Sequence, residues 1–484
     1  MKDFNILLII LDAVRADHLS CYGYHRETSP VIDKIASEGT LYKNAISASC
    51  WTLESIASIF TGLLPNRHGA HWASQKIDNN VKLISEYFNS NDYRTFCLSN
   101  NDCFFNEDTG LAKGFKHFHN IKYIFYPTKD LNCFHKMANE LYQKIFYTRY
   151  RFNLNTNETN FLKKIYKKYL LGKFHIGAAE TNYRLKRLIK DCLKSDSPFF
   201  GTVLYIDAHL PYRPPVKFIN KFTDDKTLES RLNNINFDAK KFMAGKISMD
   251  EKDFHVLNCL YDAEISYIDS KIGEIYKFLE NKGLLDSTML IITSDHGENI
   301  GEHSLMDHRY CLYDTVLRVP LIIRFPQAFK ANSIVNNIVQ TTDIFPTLLQ
   351  LLKNDETAHI NAFDGVSLFD RPNLKENYAF SEYLYPQPVS KDDDDYNELR
   401  KFMHSIKAVR DSDFKYILYS DDTEFLFDIR KDPDELNNVI EANRKTAMEM
   451  KQRLLEKTGE FREIHVVADL DSNYKERLKS LGYL

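Results

Sequence analysis

Short apolar runs alternate with segments of helical periodicity along the first 370 residues of the chain. The apolar runs are bounded by polar or turn-forming residues, and they predict buried β-strands at residues 5–11, 93–98, 199–206, 288–293 and 319–324. Apolar residues spaced three and four apart predict helices at residues 29–36, 53–63, 80–88 and 251–282. Strands that alternate with helices are typical of βαβ units, so we expect an α/β fold with a mostly parallel sheet sandwiched between helices.

The pattern changes after residue 370, where short alternating runs are joined by Asp-rich turns. These runs predict antiparallel strands at residues 404–410, 415–420 and 424–428, followed by a helix at about 441–457. We therefore predict a large α/β domain over residues 1–375 and a smaller antiparallel subdomain with a terminal helix over residues 376–484.

The charge balance, the length of the apolar runs and the cysteine pattern indicate which partners and which compartment to expect. The 484 residues carry 63 Lys and Arg against 67 Asp and Glu, which argues against nucleic acid as the partner. No apolar run approaches the roughly 18 to 20 residues that span a bilayer, and the apolar start of the chain lacks the flanks of a signal peptide. The 8 cysteines are scattered without pairs at zinc spacing, which favours free thiols and predicts a cytoplasmic location.

Residues 120–195 interrupt the alternation of strands and helices with a basic and aromatic insertion. Within it, residues 135–175 contain nine Lys or Arg against two Glu, interleaved with Phe and Tyr. This composition is typical of an inserted helical pair with a solvated basic face. It also suits a lid that attracts an anionic substrate or makes peripheral contact with a membrane surface, and both interpretations stay open.

Polar residues that could bind a metal follow two of the predicted strands. Asp12 comes directly after the first strand, and Asp295 and His296 follow the strand at 288–293. The carboxyl ends of parallel strands form the ligand-binding edge of an open sheet, so we expect these side chains to meet. Two carboxylates and an imidazole suit a divalent cation, although carboxylates at strand ends also commonly cap helices.

A third candidate is Thr52, where a polar segment turns into a helix. A hydroxyl at a helix N-terminus is normally an N-cap. The same position would also present an alkoxide to a metal ion, with backbone N–H groups able to bind a substrate oxyanion.

Six stretches of the chain, at residues 11–24, 57–62, 207–212, 261–265, 293–298 and 317–321, and the terminal residues 481–484 form a further pattern. In this order they resemble the motifs, and the common chain ending, of the sulfatase family within the alkaline phosphatase superfamily. The matches cover most of the chain and leave residues 120–195 as a poorly matching insertion. The resemblance implies a mostly parallel sheet between helices and a C-terminal antiparallel subdomain, in agreement with the hydrophobic pattern.

The resemblance also implies roles for single residues. Asp12, Asp295 and His296 fall on metal-ligand positions of the family. His209 falls on a position that contacts the ester group or assists the leaving group. His308 lies where many members carry a substrate-binding lysine, and the alternative is a histidine in a surface loop.

The chain departs from the family at the nucleophile. Sulfatases proper carry a C/S-x-P-S-R motif whose first residue is oxidised to formylglycine. Counting back from residues 57–62 places Thr52 at that position, with Glu54 and Ile56 where the motif has Pro and Arg. Threonine has no route to the aldehyde. The chain therefore resembles superfamily members with Thr at this position, which are phosphodiesterases, phosphonate monoester hydrolases and phospho-group transferases.

These residues predict a metal-dependent, sulfatase-like hydrolase or transferase that acts on a phosphoester, phosphodiester or phosphonate ester. The reaction would pass through a covalent intermediate on Thr52, with His209 assisting the leaving alcohol and His308 binding the oxyanion. The ligand set suits one divalent cation, which could be Ca, Mg, Mn or Zn. The expected metal ligands are Asp12, Thr52, Asp295 and His296.

Three further residues are candidates for contact with the substrate, which we expect to be an anionic ester linked to a glycan or a lipid. Arg15 would add positive charge to the site or form a structural ion pair. Asn101 would line the same sheet edge or form a turn. His303 is a further imidazole, although the spacing of the histidines matches a one-metal site better than a two-metal site.

Two rival functions stay open from the sequence. One is a sulfuric ester hydrolase that uses Thr52 without formylglycine. The other is a catalytically silent protein that keeps the fold in order to bind an anionic glycan or lipid head group. The joint presence of Asp12, Asp295, His296 and His209 argues against the silent protein, because a scaffold has no use for that set.

Overall fold

A computed structural model of the chain describes most of its residues. The described residues are 4–101, 103–121, 176–195, 197–223, 231–232, 235–352, 363–374, 377–389 and 394–461. Most of the basic and aromatic insertion, including residues 135–175, lies outside the described residues, and so do the terminal residues 481–484.

A mixed sheet of nine strands forms the centre of the larger part of the molecule. The strands up to residue 340 are β1 (Asn5–Leu11), β2 (Thr40–Ile46), β3 (Arg94–Ser99), β4 (His117–Asn120), β5 (Phe199–Tyr205), β6 (Thr288–Ser294), β7 (Asn299–Ile300), β8 (Met306–Asp307), β9 (Arg318–Val319), β10 (Leu321–Arg324) and β11 (Ser333–Gln340). The large sheet has the order β11-β2-β10-β6-β1-β5-β3-β4, with β9 paired to β2, while β7 and β8 form a separate ribbon.

The central strand β1 lies between β5 and β6 and runs parallel to both. Leu8 is in register with Thr202 of β5 and with Ile291 of β6. Every residue of β5 and β6 is buried, and a strand covered on both faces reads as a continuous apolar run without alternation. Because β1 and β6 are parallel neighbours, the residues that follow them lie at one edge of the sheet.

All five strands predicted in this part are present, with differences at their ends. The predicted strand at 319–324 is divided at Pro320, which has no N–H to donate to a ladder, and becomes β9 and β10. The hydrophobic pattern does not predict β2 and β11, which pair with each other. Several residues of β11 are exposed or half-buried, and its register shifts between Val335 and Ile338, so its pattern is irregular.

The α-helices of the described residues are α1 (Pro30–Ser37), α2 (Thr52–Thr61), α3 (Pro65–His68), α4 (Ile84–Ser90), α5 (Ile176–Cys192), α6 (Val216–Phe222), α7 (Ala239–Met243), α8 (Glu251–Asn281), α9 (Asp314–Leu317), α10 (Ile344–Leu352), α11 (Tyr396–Leu399) and α12 (Arg444–Thr458). They include counterparts of all five predicted helices, which are α1, α2, α4, α8 and α12. The longest, α8, begins with a capping box in which Asp250 and Asp253 each accept the other's backbone N–H.

The C-terminal part is a four-stranded antiparallel sheet. Its strands, in spatial as well as chain order, are β12 (Ala379–Tyr383), β13 (Ile406–Arg410), β14 (Phe414–Tyr419) and β15 (Glu424–Asp428). Val409, Leu418 and Leu426 form a small core with Met450 and Leu454 of α12. The predicted fold class is therefore confirmed. The predicted domain boundary falls on residues 375–376, which lie outside the described residues, and stays a prediction.

Two findings concern the helices and the cysteines. Among the residues that the structure describes, none of the helices has the length and apolar content needed to cross a bilayer. The seven cysteines within this part of the chain are all free thiols.

Candidate active site

The chain turns sharply after β1 and places Asp12 at the carboxyl edge of the sheet. The next residue, Ala13, has a φ of 62°, a left-handed conformation that disfavours residues with a Cβ. Tyr261 of α8 holds this turn, because its hydroxyl donates to Ala13 O at 2.6 Å and accepts from Arg15 N at 2.9 Å. Ser294 accepts from Val14 N at 3.0 Å. The turn is thus fixed from the two elements beside it.

Asp295 and His296 follow β6 and face Asp12 across the sheet edge. The His296 ring is oriented by its Nδ1–H, which donates to the carbonyl of Gly297 at 2.8 Å. The unprotonated Nε2 therefore faces the carboxylates, 3.8 Å from Asp12 Oδ1 and 3.5 Å from Asp295 Oδ2. We call Asp12, Asp295 and His296 the ligand cluster.

Thr52 is the first residue of α2 and is fully buried. Its Oγ1 lies 3.0 Å from His296 Nε2, so the hydroxyl contacts the ligand cluster. Ser47 supports this arrangement, since its hydroxyl donates to Asp295 O and lies 3.1 Å from the hydroxyl of Ser55 on α2. The segment that carries Thr52 and the segment that carries Asp295 are therefore joined directly.

The ligand cluster fits a divalent cation. One ligand atom from each of Asp12, Asp295 and His296 can be chosen so that all lie within 4.8 Å of one another. Asp12 Oδ1 and Asp295 Oδ2 are buried and have no hydrogen-bond partner in the described structure. Buried carboxylate oxygens are normally paired, so two orphaned oxygens beside an imidazole indicate room for a cation.

The electrostatics of the cluster point the same way. Burial raises the pKa of Asp12 to about 7, and the nearby charge of Asp295 adds to the effect. Burial also raises the pKa of Asp295 to about 7, although hydrogen bonds from the backbone of His296 and Ala13 act in the opposite direction. Burial lowers the pKa of His296, which keeps its ring neutral. A neutral imidazole and two carboxylates are the forms that bind a metal.

Two further histidines lie beside the cluster. The ring of His308 stacks on the ring of His296, with centroids 4.0 Å apart. Nδ1 of His308 donates to Cys50 O at 2.7 Å, and Nδ1 of His209 donates to Leu210 O at 2.6 Å. Their Nε2 atoms are 3.2 Å apart. Burial lowers the pKa of His308 well below its ordinary value, and the neighbouring His296 adds to the effect.

The three candidates for substrate contact differ in position. Asn101 lies at the cluster, since its Nδ2 donates to Asp12 Oδ2 at 3.3 Å. The Arg15 guanidinium is bound by Asp17 and Glu302 and makes no hydrogen bond or ion pair with the ligand cluster.

The third candidate, His303, also lies apart from the cluster. Its ring stacks on Tyr313 with centroids 3.7 Å apart, and within the described residues it makes no ring contact or hydrogen bond with Thr52 or the ligand cluster. The structure thus brings Asn101 to the site and leaves Arg15 and His303 outside it.

Asp307 is a residue of the site that sequence reasoning missed. Its Oδ1 lies 3.3 Å from His308 Nε2, and its other oxygen pairs with Arg309. Although burial acts to raise it, the pKa of Asp307 is held well below its ordinary value by Arg309 and the neighbouring histidines. The signal available in the sequence was an acidic residue directly before the candidate His308.

Comparison with known proteins assigns the chain to a family. A family model described as Sulfatase matches residues 4–354, and one described as N-sulphoglucosamine sulphohydrolase, C-terminal, matches residues 301–461. An arylsulfatase of Clostridium perfringens is 25% identical over 482 residues, covering 95% of each protein. The uncharacterized sulfatase YidJ of Escherichia coli is 24% identical over 457 residues, covering 91% of this chain and 84% of YidJ.

A solved structure shares the fold. The crystal structure of the phosphonate monoester hydrolase of Agrobacterium radiobacter aligns with a TM-score of 0.68 at 20% sequence identity. The alignment covers 94% of this chain and 95% of that chain.

Proposed function

The chain belongs to the sulfatase family of ester-hydrolysing enzymes, and on that premise we propose that it acts on a phosphoester, phosphodiester or phosphonate ester through a covalent intermediate on Thr52. The observation that carries the proposal is the position of the Thr52 hydroxyl, 3.0 Å from Nε2 of His296 and in the same buried site as two orphaned carboxylate oxygens.

The ligand cluster and Thr52 would hold one divalent cation. When bound, such a cation neutralises negative charge on a hydroxyl oxygen and on a substrate oxygen, which is the activation that a threonine hydroxyl needs. The residues around it keep the site dry and oriented: Asp12, Asp295, His296 and Thr52 are all fully buried. Asn101 fixes the second oxygen of Asp12.

The remaining steps fall to residues of the chain itself. Thr52 Oγ1, after losing its proton to water, would attack phosphorus in line with the leaving alcohol, forming one oxygen–phosphorus bond as the bond to the leaving oxygen breaks. His209 would pass a proton from its Nε2 to the leaving oxygen, while His308, whose ring stacks on that of His296, would line the position of a non-bridging oxygen. Water or an acceptor alcohol would then attack phosphorus and release Thr52.

Thr52 is favoured over the nearest cysteine as the nucleophile. Cys50 is buried, its carbonyl accepts from His308, and burial raises the pKa of its thiol well above the ordinary value. A thiol in that state is a poor nucleophile. The β-methyl group of threonine also prevents conversion to an aldehyde, so formylglycine chemistry is not part of the proposal.

A second candidate is hydrolysis of a sulfuric ester by the same Thr52 hydroxyl. It is favoured by the arylsulfatase of Clostridium perfringens, with which the chain aligns over nearly its whole length. A catalytically silent role as an anion-binding protein is disfavoured by the family and by the unpaired carboxylate oxygens of Asp12 and Asp295.

The test is a panel of aryl phosphate, phosphodiester, phosphonate and sulfate esters, followed by intact-mass spectrometry of the enzyme. An aryl phosphonate ester leaves an adduct whose mass differs from that of a sulfuryl group, so the mass identifies the transferred group. We expect the adduct on the peptide with Thr52 and its loss in Thr52→Ala. Thr61→Ala is the matched control, since Thr61 ends the same helix and its hydroxyl bonds to Ala57 O. Turnover of sulfate esters alone would overturn the proposal.

A further inference from the structure

The short helix α9 lies against the loop that carries His296. Gly297 N donates to Val316 O at 2.8 Å, and Glu298 N donates to Thr315 O at 3.1 Å. The contact is so close that a Cβ on Gly297 would lie 2.1 Å from Thr315 O. The carbonyl of the same Gly297 orients the His296 ring. The position of α9 therefore sets the position of a predicted metal ligand.

The same helix also holds the segment that leads to the nucleophile. Leu317 O accepts from Ser47 N at 2.8 Å. The Ser47 side chain in turn bonds to Asp295 O and to the hydroxyl of Ser55, one turn along the helix from Thr52. A shift of α9 would thus be transmitted to both halves of the site.

Residues of the C-terminal sheet hold α9 in place through its first residue, Asp314. Lys415 of β14 lies 2.9 Å from Asp314 Oδ1 and 2.7 Å from Glu435 Oε1. Arg410 of β13 pairs with the other oxygen of Asp314, and Glu435 accepts from Asp314 N. We call Asp314, Arg410, Lys415 and Glu435 the ion cluster. It combines two cations with two carboxyl groups in one buried network.

We propose that Arg410 and Lys415 are positioning residues that set the affinity of the ligand cluster for its divalent cation, acting through Asp314 and α9. The inference rests on the proposed metal site. Residues that orient metal ligands without touching the metal commonly change its affinity by about 10- to 100-fold when they are replaced. The C-terminal sheet would then contribute to the chemistry, although no residue of the ion cluster contacts the ligand cluster.

The experiment measures metal affinity rather than turnover. Full-length protein is freed of metal with a chelator and titrated with Mn²⁺ by calorimetry, and its melting temperature is recorded in chelator. We expect Lys415→Met to raise the Mn²⁺ dissociation constant at least about 10-fold and Lys415→Arg to restore it to within about 3-fold of wild type.

Arg324→Met is the matched control. Arg324 is also largely buried and also pairs with two carboxylates, those of Glu38 and Asp286. It lies at the far end of β10, in register with Leu290 near the start of β6, and so away from the carboxyl edge. We expect this variant to melt at a lower temperature while its Mn²⁺ affinity stays at the wild-type value.

The outcomes separate the two proposals. If Lys415→Met melts lower but binds Mn²⁺ as tightly as wild type, the ion cluster is merely structural and this inference is overturned. Should Lys415→Met fail to fold, Arg410→Lys decides the question, with an expected loss of affinity of about 3-fold or more. A wild-type protein that binds no divalent metal overturns both proposals. One that binds Mn²⁺ but turns over no phosphorus ester overturns the proposed function alone.

Discussion

Two groups of buried charged residues in this molecule have opposite electrostatic character. In the ion cluster, burial acts to raise the pKa of Asp314, but Arg410 and Lys415 outweigh it and hold that pKa well below the ordinary value. In the ligand cluster, no cation stands beside Asp12 and Asp295, and the pKa of each is raised to about 7. Asp314 is thus paired with two cations, whereas Asp12 and Asp295 form no ion pair with Lys or Arg among the described residues. The contrast concerns the aspartates, since burial raises the pKa of Glu435 in the ion cluster to about 7 as well.

The difference supports the proposal that the ligand cluster receives a cation. Burying an unpaired carboxylate is costly, and two such groups facing each other add repulsion to the desolvation cost. A chain gains nothing for its own stability from this arrangement. The cost is accounted for if a divalent cation enters the ligand cluster and pairs with Asp12 and Asp295 at once.

The strongest way to test the comparison is to remove one carboxylate from the ligand cluster. Asp295→Asn takes away a proposed metal ligand and the repulsion with Asp12, so we expect loss of Mn²⁺ binding and a fall in kcat of at least about 10³-fold. In chelator, the same variant should melt at a higher temperature than wild type. Calorimetric titration and thermal melts measure the two effects. A lower melting temperature in chelator would show that Asp295 is structural.

The matching change in the ion cluster is expected to lower the stability of the metal-free protein, whereas Asp295→Asn is expected to raise it. Asp314→Asn leaves Arg410 and Lys415 with the single carboxylate of Glu435, so positive charge is left buried without a partner. Breaking a buried ion pair in this way commonly costs about 3 kcal/mol, and we expect a comparable loss in the free energy of unfolding. Urea unfolding in chelator measures it. Glu449→Gln serves as the control, because the Glu449 side chain is 62% exposed and its ion pair is a surface one.

A smaller effect is expected at the hydrogen bond that the ligand cluster does possess. Asn101 donates to Asp12 Oδ2 at 3.3 Å and is itself fixed by Phe104 N, which donates to its Oδ1 at 3.1 Å. Asn101→Ala removes an orienting contact but no ligand, so we expect the Mn²⁺ dissociation constant to rise by about 10-fold. Asn106→Ala is the control, since the Nδ2 of Asn106 bonds to Cys103 O in the same loop. An unchanged Mn²⁺ dissociation constant in Asn101→Ala would show that the hydrogen bond from Asn101 is not needed to orient Asp12.

The ligand cluster could be predicted from the sequence because it follows from one rule of sheet topology. Two apolar runs were identified as parallel strands, and residues that follow parallel neighbours share an edge. Asp12 and Asp295 therefore had to lie close together, as they do. His209 and His308 could not be derived this way, since a pair 99 residues apart carries no periodic signal, and only the family resemblance pointed to them.

The parts that escaped prediction depend on long-range contacts with no local signature. Lys415 and Asp314 are 101 residues apart, and nothing in the pattern around either one indicates that they pair. Asp307 reaches His308 through a backbone φ of 80°, a conformation that the hydrophobic pattern does not encode. The hydrophobic pattern does not predict the edge strand β11, whose exposed and half-buried positions blur the alternation that identifies a strand. Its neighbour β2 is interrupted by the polar, half-buried Lys43 and Asn44.

A third buried carboxylate gives the test with the smallest expected effect. It is stabilised by backbone N–H groups, and so stands between the aspartate that is paired with cations and the aspartates that are not. Among the described residues, Asp269 of α8 forms no ion pair, and it accepts from Val31 N and Ile32 N at the start of α1. Burial raises its pKa to about 7, and these hydrogen bonds offset burial only in part. A carboxyl whose folded pKa exceeds its ordinary value of 3.8 stabilises the fold fully below that value and loses this contribution as the pH rises through about 7. We therefore expect the melting temperature of wild type in chelator to fall between about pH 4 and pH 7, and to fall less in Asp269→Asn. Identical pH profiles would mean that the two backbone N–H groups fully offset the cost of burying the ionised Asp269 carboxylate. Backbone donors would then stabilise a buried carboxylate as well as the cations of the ion cluster do.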